Sequence, residues 1–297
     1  MTTLKRFLAK FPDDDACLDH MMRVRYGERF NCPKCDRDAR YYRVKARRSY
    51  ECEFCGHQVY PTAGTPFART RTSLRDWFHV MFMFTTTRNG VAAKEVQRQI
   101  GVTYKTAWRM CDQIRKYMGY VDGDGRLGGV GGGIVEADKH FVGGKDKQGH
   151  DDKTVVLGML ERGGEVVTRI VPDRKLLNVV PVIKDFVRHG SRMATDSANA
   201  FKDLHLEGYR HEMVNHTAKE WVRGETHTNT IEAFWSMVRR TIEGTHIWVS
   251  QKHLPKYLGE IEFRWNLRKR PDLMFDLLLQ AFPRPILASS ASREATD

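Results

Sequence analysis

Long apolar runs are absent from this chain of 297 residues. No stretch approaches the roughly 20 consecutive apolar residues that a membrane-spanning helix needs, which excludes a helical membrane protein and predicts no membrane partner. The chain turns acidic at residues 13–15, where a secretory signal would carry its apolar core, so we expect a cytoplasmic protein. Hydrophobic residues still make up 41% of the chain, enough for a buried core.

Cysteine is scarce, and its spacing is informative. Cys17 and Cys111 stand alone and are expected to be core thiols, whereas the other four form a C-x₂-C-x₁₆-C-x₂-C pattern: Cys32, Cys35, Cys52 and Cys55. In a reducing compartment such pairs favour metal ligation over disulfides. Two C-x₂-C turns supply the four thiolates of a structural zinc site. Buried or redox-active thiols are the alternative, which two matched pairs disfavour.

Acidic residues are few in the first part of the chain. Residues 1–120 carry 23 Lys and Arg against 12 Asp and Glu, so nearly all of the net charge of +12 lies there. A merely soluble basic face would have this composition too, but clustered charge favours binding to phosphate backbones. Residues 31–61 alternate apolar and polar, which predicts a β-ribbon, and its basic stretch offers four candidate DNA contacts: Arg43, Lys45, Arg47 and Arg48.

Residues 91–118 have the pattern of two helices joined by a tight turn. Gly101 permits the turn, and Thr103 caps a second helix with Ala107, Met110 and Ile114 facing inward. This layout predicts a helix-turn-helix whose second helix enters the major groove of DNA, although packed helix pairs with a glycine turn are common. Residues expected to face outward are Tyr104, Lys105, Arg109, Arg115 and Lys116; Lys105 and Arg109 are the best candidates for base contacts.

A glycine-rich segment divides the sequence. Seven of the thirteen residues in 121–133 are glycine, and a packed element there would lose much backbone entropy, so we expect a linker. Strand and helix patterns alternate after it, which predicts an α/β domain. The predicted boundaries are 1–65 for a ribbon with a leading helix, 66–120 for the helix-turn-helix, 121–133 for the linker, 134–270 for the α/β domain and 271–297 for a C-terminal tail.

Three carboxylates stand out in the α/β part. Asp138 ends one predicted strand, Asp196 follows another, and Glu232 lies on the polar stripe of a predicted helix together with Asn229 and Arg239. Such residues can converge at a sheet edge and bind Mg²⁺, which prefers oxygen ligands. Taken singly, each aspartate is more often a turn residue and Glu232 a solvated helix face. Asn229 remains an alternative third ligand, although its amide offsets no metal charge.

Residues from about 11 to 270 resemble zinc-ribbon insertion-sequence transposases related to eukaryotic Merlin elements. The matching stretches include FPDDDACLDH, CPKC, VEADKHFVGGK, TDSANAF and HTNTIEAFWS. The resemblance implies a ribonuclease-H-like catalytic domain in which Asp138, Asp196 and Glu232 hold Mg²⁺ or Mn²⁺. It further implies a nucleoid-associated transposase that binds double-stranded DNA, as terminal inverted repeats and target, as a homo-oligomer; Arg239 is expected to contact a phosphate.

One position departs from the family pattern. Members usually follow the first aspartate with an acidic residue and then a small or hydroxyl one, whereas Lys139 and His140 follow Asp138 here. Because side chains alternate along a strand, we expect Lys139 to point away from the metals. Two alternatives stay open: a DNA-binding regulator on an inactivated scaffold, and a nuclease that cleaves without joining strands.

The cysteine spacing leads to a direct test. We expect about one zinc per chain, and Cys52→Ser should lose it because all four thiolates are needed to close the shell. Emission spectroscopy on the purified proteins measures this, and equal zinc in both would contradict the ribbon.

Overall fold

A computed structural model describes residues 3–123, 125–143, 153–215, 218 and 220–286. The chain divides into two compact units. The N-terminal unit comprises the described residues of Met1–Tyr117 and Arg270–Ala291, and the sheet unit comprises those of Met118–Lys269. Within the described chain, no helix has the length and apolar character to cross a membrane.

Helices pack around aromatic rings in the N-terminal unit. They are α1 (Leu4–Lys10), α2 (Asp14–Tyr26), α3 (Leu74–Thr86), α4 (Ala93–Ile100), α5 (Tyr104–Asp122), which continues beyond the unit, and α9 (Pro271–Ala281). The sequence of α3, LRDWFHVMFMFTT, has too many large apolar residues for a helix exposed on one side, and eight of them are buried. Phe275 of α9 lies within 5.8 Å of the Phe7 ring and 5.5 Å of the Phe82 ring, measured between centroids.

The region predicted as a C-terminal tail therefore begins with a core helix. The prediction missed α9 because its apolar face, LMFDLLL, has its partner almost two hundred residues earlier in the chain. Residues 287–297 of the predicted tail lie outside the described residues.

The predicted β-ribbon is present as short antiparallel strands. β1 (Phe30–Asn31) pairs with β2 (Asp38–Ala39), and β3 (Tyr41–Val44), β4 (Ser49–Cys52) and β5 (Gln58–Val59) form a three-stranded sheet in that order. Two acids at the start of α2 form ion pairs with arginines of the ribbon. Asp15 pairs with Arg43 at 2.8 Å, and Asp14 pairs with Arg48 at 3.1 Å. The run of three aspartates thus caps α2 and ties the helix to the ribbon.

The two-helix pattern of residues 91–118 is confirmed as α4 and α5. Gly101 ends α4 in the left-handed conformation (φ 70°, ψ 19°), which suits glycine because it lacks a Cβ. One orientation was predicted wrongly: Arg115 is buried, with its guanidinium donating to the carbonyl of Val91 at 2.9 Å. The guanidinium also lies 5.2 Å from the centroid of the Phe84 ring.

A five-stranded mixed sheet forms the second unit. Its strands are β6 (Val135–Val142), β7 (Thr154–Glu161), β8 (Val166–Val171), β9 (Arg192–Asp196) and β10 (Arg210–Val214), in the spatial order β10-β9-β6-β7-β8. β9 runs parallel to β6 and β10, while β7 runs antiparallel to both β6 and β8. The helices are α6 (Leu176–Phe186), α7 (Asn229–Thr241) and α8 (Leu254–Asn266).

Side chains alternate between the two faces of the sheet along each strand, and both faces are buried against helices. Val135 and Ala137 of β6 pack in one cluster with α6, and Val142 packs in another with α7 and α8. After β9 the chain forms a 3₁₀ turn (Asn199–Phe201) followed by further turns with i→i+3 bonds. Those turns bury Ala200, Phe201 and Leu204 against the first cluster without a full helix.

Part of the glycine-rich segment is packed at Leu127 and Gly128, contrary to the predicted linker. Leu127 is buried and pairs in a parallel bridge with Val187. The amides of Gly128 and Gly133 both donate to the carboxylate of Glu161, each at 2.9 Å. A high glycine content indicates either a flexible chain or a backbone that lies close to its neighbours. The second applies at Gly128, where a Cβ would lie 2.5 Å from Ser191 Oγ.

Gly128→Ala should therefore destabilise the protein by about 3 kcal/mol, since it adds a steric clash to a positive φ. Gly131→Ala is the matched control: it has φ +81° but open space around the missing Cβ, so about 1 kcal/mol is expected. Urea unfolding of the full chain measures both. Equal losses would contradict the close packing of Gly128.

Candidate metal and DNA-binding sites

Four sulfur atoms converge in the ribbon. The predicted ligands Cys32, Cys35, Cys52 and Cys55 have Sγ atoms that all lie within 4.8 Å of one another, with 3.7 Å between Cys32 and Cys55. Tetrahedral zinc with bonds of about 2.3 Å requires sulfurs roughly 3.8 Å apart. All four thiols are free of disulfides. The donor set and its spacing fit a structural zinc ion with no open coordination position.

Asp138 and Asp196 lie side by side on neighbouring parallel strands. The register pairs Ala137 with Thr195, so the next residue on each strand is an aspartate. Paired residues of neighbouring strands point to the same face. Ala137 faces the α6 side, and both aspartates therefore face the side covered by α7.

Glu232 approaches this pair from α7. Burial, followed by the nearby charges of Asp196 and Glu232, raises the pKa of Asp138 to about 6. All three predicted carboxylates are thus in electrostatic contact. Thr228 orients Glu232 by donating its hydroxyl to Oε1 at 2.8 Å. Asn229, the alternative ligand, is exposed in the first turn of α7. Its backbone N–H donates to His227 Nδ1, with 3.4 Å between the two nitrogens.

Among the described residues, the four cysteines are the only group of three or more His, Cys, Asp or Glu side chains that converge as metal ligands, and the three carboxylates do not converge to that degree. Like charges repel, and a divalent cation would relieve the repulsion that raises the pKa of Asp138. Three carboxylates are also the hard oxygen donors that Mg²⁺ and Mn²⁺ prefer. The donor chemistry of these three residues therefore suits a divalent cation.

A fourth carboxylate, missed in the sequence, positions this site. Glu136 is completely buried on the same strand face as Asp138. Its Oε2 accepts hydrogen bonds from the backbone amides of Thr230 and Ile231, both at 2.9 Å, and its Oε1 accepts one from the Thr230 hydroxyl. These contacts cap the start of α7, directly before Glu232.

Arg162 completes the surroundings of Glu136. Its Nε donates to Glu136 Oε1 at 2.6 Å, and its other nitrogens donate to the carbonyls of Glu225 and His227. Arg162 lies in the turn between β7 and β8, so the ion pair joins that turn to the segment leading into α7. The sequence Arg162-Gly163-Gly164 is typical of a hairpin turn, but nothing in that pattern reveals the ion pair.

Lys139 points away from Asp138, as predicted. Its ammonium lies 4.2 Å from the centroid of the Phe201 ring, in the cluster on the α6 side. Burial lowers the pKa of Lys139, while the carboxylates of Asp196 and Asp138 act in the opposite direction. His140 returns to the α7 side and stacks on Trp235 at 5.0 Å. Lys139, the departure from the family pattern, thus does not place its ammonium on the face that carries Asp138.

The predicted DNA contacts fall into two groups. Lys45, Arg47, Lys105 and Arg239 have exposed side chains; Arg43, Arg48 and Arg109 also have partners within the protein. Arg109 donates to the carbonyl of Pro66 at 3.1 Å. Arg239 is close enough to His140 to lower the pKa of that imidazole, which burial lowers more strongly. DNA binding by these seven residues stays a prediction. Those with exposed side chains and no partner named above are the better candidates for DNA contacts.

Comparison with known proteins identifies both parts of the chain. Residues 12–58 match the transposase zinc-ribbon domain, and residues 129–266 match the ISXO2-like transposase domain. A protein of Halobacterium salinarum described as an uncharacterized protein in transposable element ISH50 is 24% identical over 275 residues, covering 84% of this chain and 90% of that protein. An uncharacterized transposase-like protein of Haemophilus influenzae is 26% identical over 102 residues, covering 34% of this chain and 81% of that protein.

Glu136→Gln should destabilise the sheet unit by about 3 kcal/mol, because it leaves Arg162 without a carboxylate and turns an NH₂ group toward backbone donors. We also expect faster hydrogen exchange at the amides of Thr230 and Ile231. The exposed Glu243 provides the control: Glu243→Gln should change stability by less than about 0.5 kcal/mol. Unchanged exchange at the start of α7 in Glu136→Gln would contradict the capping role.

Proposed function

The chain belongs to the insertion-sequence transposases that carry a zinc ribbon ahead of an ISXO2-like transposase domain, and from this we propose a specific activity. It binds the terminal inverted repeats of an insertion sequence, cleaves DNA there with Mg²⁺ or Mn²⁺, and joins the freed ends to target DNA. One observation carries the proposal: Asp138 and Asp196 adjoin on parallel strands and Glu232 approaches them closely enough to raise the pKa of Asp138.

Strand topology supports a ribonuclease-H-like catalytic domain. Numbered along the chain within the sheet unit, the strands lie in the order 5-4-1-2-3, and only the second runs antiparallel to its neighbours. This arrangement places the first aspartate on the central strand and the second on the strand beside it. The glutamate comes from a helix that covers the same face.

The chemistry rests on carboxylates, with no covalent nucleophile from the protein. Asp138, Asp196 and Glu232 would hold the cations, and Glu232 is favoured over Asn229 because it has a charge and a fixed orientation through Thr228. When bound, the cations lower the pKa of an attacking water or 3′-hydroxyl and stabilise the leaving oxygen. With a pKa near 6, Asp138 is largely ionised at neutral pH and can bind a cation without first losing a proton.

DNA binding is assigned to the N-terminal unit. The zinc would hold the ribbon rigid and present Lys45 and Arg47 at the turn between β3 and β4, where both side chains are exposed. Helix α5 would act as the second helix of a helix-turn-helix with Lys105 exposed near its start. Since an element has two ends to be cut, we propose that the protein works as a homo-oligomer on DNA.

The ligand assignment is tested by two neighbouring substitutions on α7. Glu232→Gln should abolish Mg²⁺-dependent cleavage of a duplex that carries the DNA flanking the gene, while binding to that duplex stays intact. Asn229→Ala should lower the cleavage rate without abolishing it. Cleavage is followed by strand-resolved gels and binding by fluorescence anisotropy.

Each result separates the alternatives. Normal cleavage by Glu232→Gln with an inactive Asn229→Ala would reverse the assignment of the third ligand. Specific DNA binding by the unaltered chain without any Mg²⁺- or Mn²⁺-dependent nicking would favour a DNA-binding regulator. Cleavage without strand transfer to a second duplex would favour a nuclease.

A further inference from the structure

A second charged site lies at the sheet edge that carries Asp196. A pocket of about 460 Å³ is bounded by two segments: Asp173, Arg174, Lys175 and Leu176 after β8, and Asn199 and Ala200 after β9. β7 is antiparallel to both β6 and β8, so β8 runs in the same direction as β6 and β9. The carboxyl ends of β8 and β9 therefore share an edge, and the pocket opens beside the candidate cation site.

Arg174 is the principal cation of this pocket. Its side chain is exposed, and its guanidinium lies 5.3 Å from the centroid of the Phe141 ring. Among the described residues no carboxylate forms an ion pair with it. A guanidinium placed beside an aromatic ring keeps its hydrogen-bond donors available for a ligand.

Other groups around the pocket add positive charge. Lys139 projects to this side of the sheet over Phe201, the last residue of the 3₁₀ turn that supplies Asn199 and Ala200. Lys139 and Arg174 are close enough for their charges to repel. The one acid in the lining, Asp173, accepts hydrogen bonds from the Lys175 amide and Asn178, both at 2.8 Å, and its other oxygen pairs with the Lys175 ammonium. Asp173 is thus paired with Lys175, and Arg174 is left to attract an anion.

The location indicates which anion. Asp138 and Lys139 are consecutive residues on opposite faces of β6, so a DNA strand crossing this edge passes from the carboxylate site to the cationic pocket. The apolar side chains of Leu176 and Ala200 offer a surface for a deoxyribose between two phosphates. A planar guanidinium binds a phosphate through two parallel hydrogen bonds.

We propose that the pocket binds the backbone phosphate next to the scissile phosphodiester, with Arg174 as its main contact and Lys139 as a second positive charge. This inference rests on the proposed function, because it takes the carboxylate site as the place of cleavage. It also gives Lys139 a role: the lysine that replaces the family's acidic residue binds DNA from the opposite sheet face.

The test uses the full chain and a duplex carrying the terminal sequence of the element, in Ca²⁺ buffer to measure binding without cleavage. A neutral methylphosphonate is placed at each phosphate in turn around the cleavage position. For the wild-type protein, one substitution next to the scissile position should weaken binding about tenfold. Arg174→Ala should weaken binding to unmodified DNA by a similar factor and become insensitive to that methylphosphonate.

Arg210→Ala provides the matched control. Arg210 is exposed at the start of β10, which runs parallel to β9, so it lies at the opposite edge of the sheet. This variant should keep both the wild-type affinity and the wild-type sensitivity to the methylphosphonate. Arg174→Lys should recover part of the affinity, because it restores the charge but not the paired hydrogen bonds.

The outcomes keep this inference apart from the proposed function. Equal methylphosphonate sensitivity in the wild type and in Arg174→Ala would overturn the phosphate site, even if Glu232→Gln abolishes cleavage as expected. Loss of that sensitivity in Arg174→Ala, together with normal cleavage by Glu232→Gln, would establish the phosphate contact and overturn the assignment of the catalytic carboxylates.

Discussion

Burying the charged carboxylate of Glu136 between β6 and the start of α7 obliges its neighbours to supply a full set of donors. Removing a carboxylate from water costs several kcal/mol unless hydrogen bonds and an opposite charge replace its hydration. Arg162 and the first backbone amides of α7 do so. Because two of these donors are backbone amides of α7, the helix cannot slide or turn over the sheet without losing their hydrogen bonds to Glu136. The position of Glu232 beside Asp138 follows from that restriction.

Two carboxylates on one strand face thus have opposite environments. Glu136 is surrounded by donors and stabilises the fold, whereas Asp138, two residues later, faces two other acids. Gly158 lies opposite Asp138 on β7 and leaves room for Trp235, whose ring a Cβ there would meet at 2.5 Å. Strand β6 therefore binds the start of α7 through Glu136 and places Asp138 among carboxylates that repel it. Binding a divalent cation would remove that repulsion.

The charge excess of the first 120 residues has two uses, which composition could not separate. Arg43 and Arg48 of the ribbon pair with the acids at the start of α2, so part of the positive charge stabilises the unit itself. Lys45 and Arg47, at the turn between the same strands, have exposed side chains. Counting charges predicted a DNA-binding surface, but choosing among its residues requires knowing which carboxylates lie nearby.

Local patterns were predictable from the sequence, and distant contacts were not. The cysteine spacing led to a converging cluster, and the helix-turn-helix pattern and the apolar stripe of α7 predicted helices that the structure contains. Glu136 escaped attention because its partners Thr230 and Ile231 lie more than ninety positions away. The glycine-rich segment was misinterpreted because composition does not distinguish a flexible chain from one pressed against Glu161 and Ser191.

The membership of α9 in the N-terminal unit has a consequence during synthesis of the protein. Phe7, Phe11 and Phe82 leave the ribosome well before Phe275, which packs against all three. At roughly 5–20 residues per second, the early aromatic rings wait on the order of ten seconds or more for their partner. Until Phe275 has been made, the nascent chain therefore lacks part of the aromatic core of its N-terminal unit. The unit that would hold DNA is completed only after the three acidic residues of the candidate active site have been made.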